Sequence, residues 1–301
     1  MSGVTPGPVL GMSFITSSEG WLVTAEGLYA TKDGGSSWAS LPQPPVSGGQ
    51  GEGIHVQLNW VEQLTPENAW GITNEDQLFV TMDGGTSWHA VRTPAPQTEG
   101  ACFSSPAEGL IATDWPNVEV YETLDGGTSW QPVWSTTGPA LRVSLSCLGQ
   151  AQAVLRIESG YSDGQIQGET VVAANGWRGP WRRVADDGTD GGTVDGFPDR
   201  SVAPATVIPI GTGTVAAGVG TDGRVILTLD AEGSGHGAQQ TRSAGIGSVA
   251  GAPVQFGQFV VGSLVWPDAV VVAVASQAAG HVSVATSTTG GRSWRSVSAT
   301  I

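Results

Sequence analysis

The sequence predicts an all-β fold built from one repeated unit, and two observations carry this prediction. The first is an eight-residue motif that occurs four times, at residues 31–38, 81–88, 123–130 and 287–294. The second is the composition, because 45 glycines spread through 301 residues without a Gly-X-Y period favour many short strands joined by tight turns. A motif that returns every ~40 to 60 residues is typical of a repeat architecture.

Each copy of the motif follows a similar series of short segments in which apolar positions alternate. In the first unit these segments begin near Leu10, Gly20 and Gly27, and a fourth segment begins at Trp38. Alternation with a period of two predicts β-strands. Each unit is therefore predicted to be a four-stranded antiparallel meander.

Two further units are degenerate copies of the same pattern. One ends at Trp181 and has Gly176 where the motif has aspartate, and another keeps Asp230 but lacks the tryptophan. The last copy ends at Trp294 and has Thr289 in place of the aspartate. The chain therefore contains six units, and their spacing leaves no room for another complete one.

Meanders that cannot bury both faces alone stack around a common axis, as in a β-propeller. We therefore predict a single domain over residues 1–301, an all-β propeller with six four-stranded antiparallel blades. Seven blades is the alternative, if the long stretch 231–256 contains additional strands.

The motif resembles the Asp-box, or bacterial neuraminidase repeat, with the pattern S/T-x-D-x-G-x-T/S-W. The D-G-G form and the preceding Gly-Trp are most similar to the photosystem II assembly and stability factor group of propellers. The resemblance covers essentially the whole chain and implies the propeller fold. It implies little about function, because sialidases, xyloglucanases, sorting receptors and assembly factors all carry the repeat. The positions that match are Asp33, Trp38, Asp83, Trp88, Asp125, Trp130, Asp230 and Trp294.

Elementary chemistry explains the motif without any catalytic role. An aspartate side chain accepts backbone N–H bonds within a turn, and glycine permits positive φ there. The tryptophan that follows begins the outer strand and buries a large ring. We therefore interpret the motif aspartates as structural residues.

The charge of the chain excludes several classes of partner. The net charge is −15, the pI is about 4.4, and the basic residues comprise one lysine and eleven arginines. Nucleic-acid binding needs clustered cations, so duplex nucleic acid and anionic membranes are not expected partners. The one basic cluster, Arg178, Arg182 and Arg183, is interpreted as a solvated strand face. No apolar run approaches the ~20 residues of a membrane span, and the first residues lack an export signal.

The sequence shows no complete set of catalytic residues. A sialidase needs an arginine cluster, a tyrosine nucleophile with a glutamate partner, and an acid/base aspartate. The first arginine is Arg92, and Tyr29 and Tyr121 occupy the repeat position of Phe79, which makes them strand residues. A glycosidase with two facing carboxylates stays open as an alternative. The four histidines show no metal-ligand spacing.

An acidic, glycine-rich loop is the one weak candidate for a metal site. It contains Asp186, Asp187 and Asp190, and oxygen-rich loops of this kind suit Ca²⁺. The glutamate that closes an EF-hand loop is missing, so a solvated loop is the favoured interpretation. We predict no cofactor.

The two cysteines stand at equivalent positions of neighbouring units. Cys102 and Cys147 each precede the apolar residue that anchors an inner strand. A disulfide is open if the Cα atoms approach within ~7 Å, and two buried free thiols are the favoured alternative.

Three tryptophans fall outside the positions that the repeat explains. Trp115, Trp134 and Trp177 are predicted to lie in a loop, near a strand end and in a degenerate turn. Exposed indoles of this kind stack on sugars or anchor protein partners, so the three are candidate contact residues. The alternative is that they cover blade edges.

These observations favour a non-enzymatic binding or scaffold propeller that mediates protein–protein or assembly interactions. We expect it to be exported with its signal removed, as a monomer or a component of a larger assembly, and its ligand to be a protein or a glycan. The photosystem factor family relies on an arginine-rich patch, whereas this chain is acidic, so the resemblance is expected to carry the fold alone. The alternative function is a carbohydrate-binding or glycoside-hydrolysing, sialidase-like propeller.

Overall fold

The structure is a computed structural model, and it describes sixteen stretches of the chain. They are residues 9–45, 57–95, 97–148, 152–162, 165–173, 176–184, 202–210, 213–220, 225–230, 240–243, 248–249, 252–253, 260–265, 269–276, 281–287 and 295–300.

The described elements are all strands, and they form six four-stranded antiparallel sheets and one two-stranded ribbon. The first sheet comprises β1 (Val9–Phe14), β2 (Gly20–Thr24), β3 (Gly27–Thr31) and β4 (Ala39–Leu41). The second comprises β5 (Leu58–Gln63), β6 (Ala69–Thr73), β7 (Leu78–Thr81) and β8 (His89–Ala90). The third comprises β9 (Gly100–Phe103), β10 (Gly109–Thr113), β11 (Val118–Thr123) and β12 (Gln131–Thr136).

The remaining sheets follow the same plan. The fourth comprises β13 (Arg142–Leu148), β14 (Gln152–Ser162), β15 (Gln165–Ala173) and β16 (Trp181–Val184). The fifth comprises β17 (Val202–Ile210), β18 (Gly213–Gly220), β19 (Val225–Asp230) and β20 (Gln240–Ser243). The ribbon is β21 (Ser248–Val249) with β22 (Ala252–Pro253), and the last sheet comprises β23 (Val260–Val265), β24 (Ala269–Ser276), β25 (His281–Ser287) and β26 (Arg295–Thr300).

The sheets are arranged side by side through their innermost strands, as in a β-propeller. Strand β1 contacts both β5 and β23, while β13 contacts β9 and β17, and β17 in turn contacts β23. The first and last sheets are therefore neighbours in space. Val282 and Val284 of β25 are fully buried against Met12, Phe14 and Leu22 of the first sheet, so apolar packing joins the two ends of the described chain. The prediction of an all-β propeller with four-stranded antiparallel sheets is confirmed.

Aromatic side chains fill the space between the first and second sheets and the space between the second and third. Trp21 of the first sheet meets Trp88 of the second edge-on, with ring centroids 6.0 Å apart. Trp70 of the second sheet stacks on Phe103 of the third at 3.9 Å and is fully buried. Rings of this size bury enough apolar surface to make each of these two boundaries a small core.

In each of the first three sheets, one side chain of the innermost strand bonds to the innermost strand of the next sheet, and we call this contact the tie. Ser13 Oγ accepts a hydrogen bond from the Gln63 amide at 2.8 Å, and Glu62 Oε2 accepts one from the Phe103 amide at 2.8 Å. Ser13 and Glu62 are equivalent, because each pairs with the second residue of the adjacent strand. Cys102 stands at that same position in the third sheet.

At this third position the tie is covalent. A disulfide joins Cys102 to Cys147 of β13, and the two Cα atoms are 5.5 Å apart. The favoured expectation of two free thiols is therefore wrong, because the neighbouring inner strands approach closely enough for a bridge.

The meander gives each sheet two different ends. One end carries the motif turns and the loops between the first and second strands, and we call it the DGG face. The other end carries the loops between the second and third strands and the segments that run from one sheet to the next, and we call it the connector face. Candidate functional residues lie on both faces.

Candidate functional site

The motif aspartates on the DGG face hold their own turns together. Asp33 Oδ1 accepts hydrogen bonds from the Ser37 amide at 2.8 Å and from Thr31 Oγ1 at 2.9 Å, and its Oδ2 accepts one from Ser37 Oγ at 2.6 Å. Asp83 and Asp125 make the same bonds in their turns. The serine hydrogen bonds hold the pKa of all three carboxyls below the ordinary range, to about 2 for Asp83. Their lone pairs are committed to the turn, which leaves them unsuited to proton transfer.

The motif tryptophans serve the boundary between sheets. The Trp88 indole donates to the Pro42 carbonyl and the Trp130 indole to the Arg92 carbonyl, each at 3.1 Å and each reaching the preceding sheet's exit segment. Trp38 is partly buried against the first and last sheets. Asp230 is the last residue of β19, and Trp294 lies outside the described residues.

The three candidate contact tryptophans have three different environments. Trp115 is 61% exposed, in the loop between β10 and β11. Trp134 is half-buried and packs against Trp181 with ring centroids 6.1 Å apart. Trp177 is only 4% exposed and belongs to the core between the third and fourth sheets. Its ring therefore fills part of that interior, and a ligand contact of Trp177 stays a prediction.

Trp115 lies in a surface on the connector face that hydrogen bonds assemble from separate segments. The Thr98 amide donates to the Asp76 carbonyl at 3.1 Å, which joins the β6–β7 loop to the entry of β9. The Ala140 amide donates to the Asp114 carbonyl at 3.0 Å, which joins the loop of Trp115 to the segment that enters β13. That segment also presents Leu141, which is 58% exposed. We call Asp76, Thr98, Glu99, Asp114, Trp115, Leu141 and Arg142 the connector patch.

Repulsion between carboxylates contributes to the raised pKa values of two residues in the connector patch. Burial raises the pKa of Asp76, and the charge of Asp114 raises it further. Burial likewise raises the pKa of Glu99, with smaller contributions from Asp76 and Asp114 and an opposing one from Arg142. Asp76 also holds a left-handed backbone conformation with a φ of 58°. The patch is therefore an acidic surface that a cation would stabilise.

Two oxygens of the connector patch have unmet hydrogen-bonding capacity. Asp114 Oδ1 and Thr98 Oγ1 are buried, and neither has a hydrogen-bond partner within the described part of the chain. Buried polar atoms are almost always paired in proteins, so two unpaired oxygens mark this region as unusual. Sequence reasoning missed Asp76, Glu99 and Asp114 as a group, although the adjacency of Asp114 and Trp115 was a signal.

The DGG face carries an open cleft between the third and fourth sheets, with a volume of about 250 Å³. At its wall, Arg178 Nε donates a hydrogen bond to the buried carboxylate of Glu122. Arg183 pairs with Glu169 at 3.0 Å, and Arg182 is exposed on β16. Two of the three basic residues are thus engaged by acidic neighbours.

One tyrosine–glutamate pair superficially matches sialidase chemistry. Tyr121 Oη donates to Glu119 Oε2 at 2.6 Å, two residues earlier on the same strand. Burial, together with the hydrogen bond and charge of Glu119, raises the pKa of Tyr121 to about 12. A nucleophilic tyrosine needs the opposite shift, so this pair is not poised for attack.

The described residues contain no cluster of three or more His, Cys, Asp or Glu side chains that could hold a metal ion. Asp186, Asp187 and Asp190, the weak calcium candidates, lie outside the described residues. Among the residues that the structure describes, none belongs to a helix long and apolar enough to cross a membrane.

The chain was compared with known protein families, curated proteins and solved structures. No protein-family model and no curated protein matches this chain. Among solved structures, YCF48 bound to D1 peptide is similar with a TM-score of 0.52 and 18% identity, over 97% of this chain and 82% of that chain. The SapL1 lectin in complex with alpha methyl fucoside gives a TM-score of 0.57 at 11% identity, over 99% and 97% of the two chains.

A further similar structure is the fungal lectin of Aleuria aurantia, a six-bladed β-propeller. Its TM-score is 0.53 at 11% identity, over 97% of this chain and 94% of that chain. Identities in this range show a shared fold. The chain is therefore similar to β-propellers whose described ligands include a peptide and a fucoside.

Proposed function

We propose that this chain is a non-enzymatic binding propeller, in which six sheets act as the blades of one ring and the connector patch engages a protein partner. The observation that carries the proposal is that Trp115 and Leu141 are 61% and 58% exposed on two segments joined by the hydrogen bond between Ala140 and Asp114. Large apolar side chains exposed on adjoining segments are typical of a protein interface.

The patch stands on a rigid support, which favours binding over a merely solvated loop. The Leu141 amide donates to the Glu158 carbonyl at 2.6 Å, and the Gly138 amide donates to Asn117 Oδ1 at 3.0 Å. These bonds hold the backbone of both segments relative to the sheets. A preorganised surface loses less conformational freedom on binding.

We also propose that the motif turns are Asp-box repeats and that the protein works outside the cytosol. The three-turn set of identical aspartate hydrogen bonds supports the first point. The disulfide between Cys102 and Cys147 supports the second, because disulfides persist in oxidising compartments. Similarity to a propeller bound to a peptide supports a protein partner.

Site-specific photo-crosslinking in the source organism tests the proposal. A photoreactive amino acid replaces Trp115 in one protein and, as matched controls, Met82 or Leu124 in others. Met82 and Leu124 are 64% and 52% exposed on the DGG face, so they equal Trp115 in exposure and differ in location.

The proposal requires a discrete crosslinked protein from position 115 that the controls do not give. With that partner purified, Trp115→Ala is expected to weaken binding about tenfold or more, whereas Met82→Ala and Leu124→Ala leave it unchanged. Equal crosslinking from both faces, or equal affinity of all variants, would refute the use of this patch.

A second candidate is a carbohydrate-binding or glycoside-hydrolysing propeller, and one observation favours it. The connector patch that contains Trp115 also contains Asp76 and Glu99, whose pKa values are raised by burial, and a general acid for glycoside hydrolysis needs such a shift. A glycan array with wild-type protein and Trp115→Ala tests it. Binding that is lost in the variant, followed by hydrolysis that is lost in Asp76→Asn or Glu99→Gln, would establish this function in place of the first.

A further inference from the structure

We infer that the partner segment presents a cationic side chain, arginine or lysine, next to an apolar one. The apolar side chain packs on Trp115 and Leu141, and the cation binds Asp114. This inference rests on the proposed function, because it names the chemistry of the partner for the same patch.

The charges of the patch select a cation. Asp76, Glu99 and Asp114 come from three separate segments, and the charges of Asp76 and Asp114 raise the cost of ionising Glu99. Arg142 is the one cationic side chain in the patch, and within the described residues it forms no ion pair within 4 Å. The whole chain carries a net charge of −15, which steers cations toward it.

The position of the half-buried Asp114 directly before the exposed Trp115 locates the cation. Asp114 Oδ1 is buried and has no donor within the described part of the chain, while the next residue is the exposed Trp115. A long side chain that lies along the indole can place its charged end beside the half-buried Asp114 carboxyl group and gain a cation–π contact on the way. An arginine or lysine fits this geometry because its stem is apolar and its end is charged.

The arrangement favours an organic cation over a metal ion. No three acidic, histidine or cysteine side chains among the described residues converge closely enough to hold a metal. The carboxylates of the patch are instead spread beside an apolar pair, which matches an extended peptide in which charged and apolar side chains alternate.

Selection of peptides provides the test. A library of random twelve-residue peptides displayed on phage is selected on wild-type protein and depleted on the Trp115→Ala variant. Dissociation constants of recovered peptides are then measured for wild type, Asp114→Asn, Glu99→Gln and Glu26→Gln. Glu26 is an exposed carboxylate on the connector face of the first sheet, so it serves as the matched control.

The inference requires that recovered peptides carry arginine or lysine beside an aromatic or aliphatic residue. Asp114→Asn should weaken binding about tenfold, Glu99→Gln less, and Glu26→Gln not at all, and replacing the peptide cation by alanine should abolish the effect of Asp114→Asn. Circular dichroism of each variant verifies that it is folded.

Two other outcomes separate the two claims. Neutral or acidic peptides that need Trp115 but ignore Asp114 would overturn this inference and leave the proposed function in place. If no recovered peptide depends on Trp115, both the docking surface and its preference for a cation are overturned.

Discussion

Two neighbouring boundaries of the molecule are filled by different elements. Between the second and third sheets the large side chain comes from a strand, whereas between the third and fourth sheets it comes from a turn. At the earlier boundary, Trp70 reaches across from β6 and stacks on Phe103, and the facing turn offers only glycine. A Cβ on Gly127 would lie 3.5 Å from Trp70 Cη2 and 2.6 Å from Val91 Cγ1. The large side chain thus comes from the sheet, and the turn leaves room for it.

At the later boundary the contributions are exchanged. Leu110 occupies the position of Trp70, as the strand pairing shows, and it is smaller. The turn of the fourth sheet supplies Trp177, which enters the same core cluster as Leu110. The tie between inner strands changes as well, from a hydrogen bond at Glu62 to a disulfide at Cys102. The repeat therefore preserves a filled and tied boundary while the residues that provide it change.

The largest expected effect on stability comes from removing the Trp177 ring from the boundary between the third and fourth sheets. Trp177→Ala should lower the free energy of unfolding by ~3–5 kcal/mol, because it removes a buried ring and leaves a cavity. Trp115→Ala is the matched control, since the same substitution at an exposed site should change stability by less than ~0.5 kcal/mol. Chemical denaturation of both variants measures the difference. Similar losses in the two would mean that Trp177 does not fill this boundary.

The next effect compares the covalent tie with the hydrogen-bonded one. Replacing both Cys102 and Cys147 by serine should lower the free energy of unfolding by ~2–4 kcal/mol, since the bridge closes a loop of 45 residues. Ser13→Ala, which removes the equivalent hydrogen bond, should lower it by only ~0.5–1.5 kcal/mol. A reducing agent should bring the wild-type protein to the stability of the serine variant, and insensitivity to reduction would contradict the bridge.

Moving the large ring from the turn back to the strand tests whether Leu110 and Trp177 share one space. Leu110→Trp alone should destabilise the protein by ~1–3 kcal/mol, because two large rings would compete for one space. With Trp177→Gly added, the double variant should lose less than the sum of the two single losses, by ~1–3 kcal/mol in a double-mutant cycle. Strict additivity of the two substitutions would show that these positions do not share a space.

Much of this boundary could be predicted from sequence, and the exchange could not. The alternation of apolar residues and the motif spacing predict the strands of the first three sheets, because these depend on local pattern. Trp177 is buried in a core cluster that includes Leu110, which lies in another sheet. Sequence reasoning assigned Trp177 to an exposed turn because nothing local reveals the space beside it.

The connector patch escaped prediction for the same physical reason. Asp76, Glu99 and Asp114 come from three segments that meet only when the sheets stack, and no spacing in the sequence relates them. Trp115 was identified because an indole in a loop is informative by itself. A site of this kind forms through tertiary contacts between distant segments, whereas the motif turns form through contacts between residues close in sequence.

The hydrogen-bonded tie should respond to pH, unlike the disulfide. Burial raises the pKa of Glu62 to about 8, above its ordinary value of 4.5. Between these values the folded protein holds a proton that the unfolded chain has lost, so stability should fall as pH rises, by at most about 1.4 kcal/mol per pH unit.

Glu62→Gln should flatten this dependence, since the amide oxygen still accepts the Phe103 amide and no longer titrates. Urea denaturation from pH 5 to pH 8.5 measures both slopes, with Glu26→Gln as the control at an exposed carboxylate. Equal slopes for wild type and Glu62→Gln would exclude Glu62 as the source.

The smallest expected effect separates backbone conformation from crowding in the turns. Gly127 and Gly176 both have positive φ, of 79° and 87°, but a Cβ on Gly176 would meet no atom within 4 Å. Gly176→Ala should therefore lower the free energy of unfolding by only ~1–2 kcal/mol, the cost of a left-handed alanine. Gly127→Ala adds a clash with Val91 and should cost more in the same thermal or urea titration. If the two substitutions cost the same, crowding does not explain why glycine stands opposite Trp70.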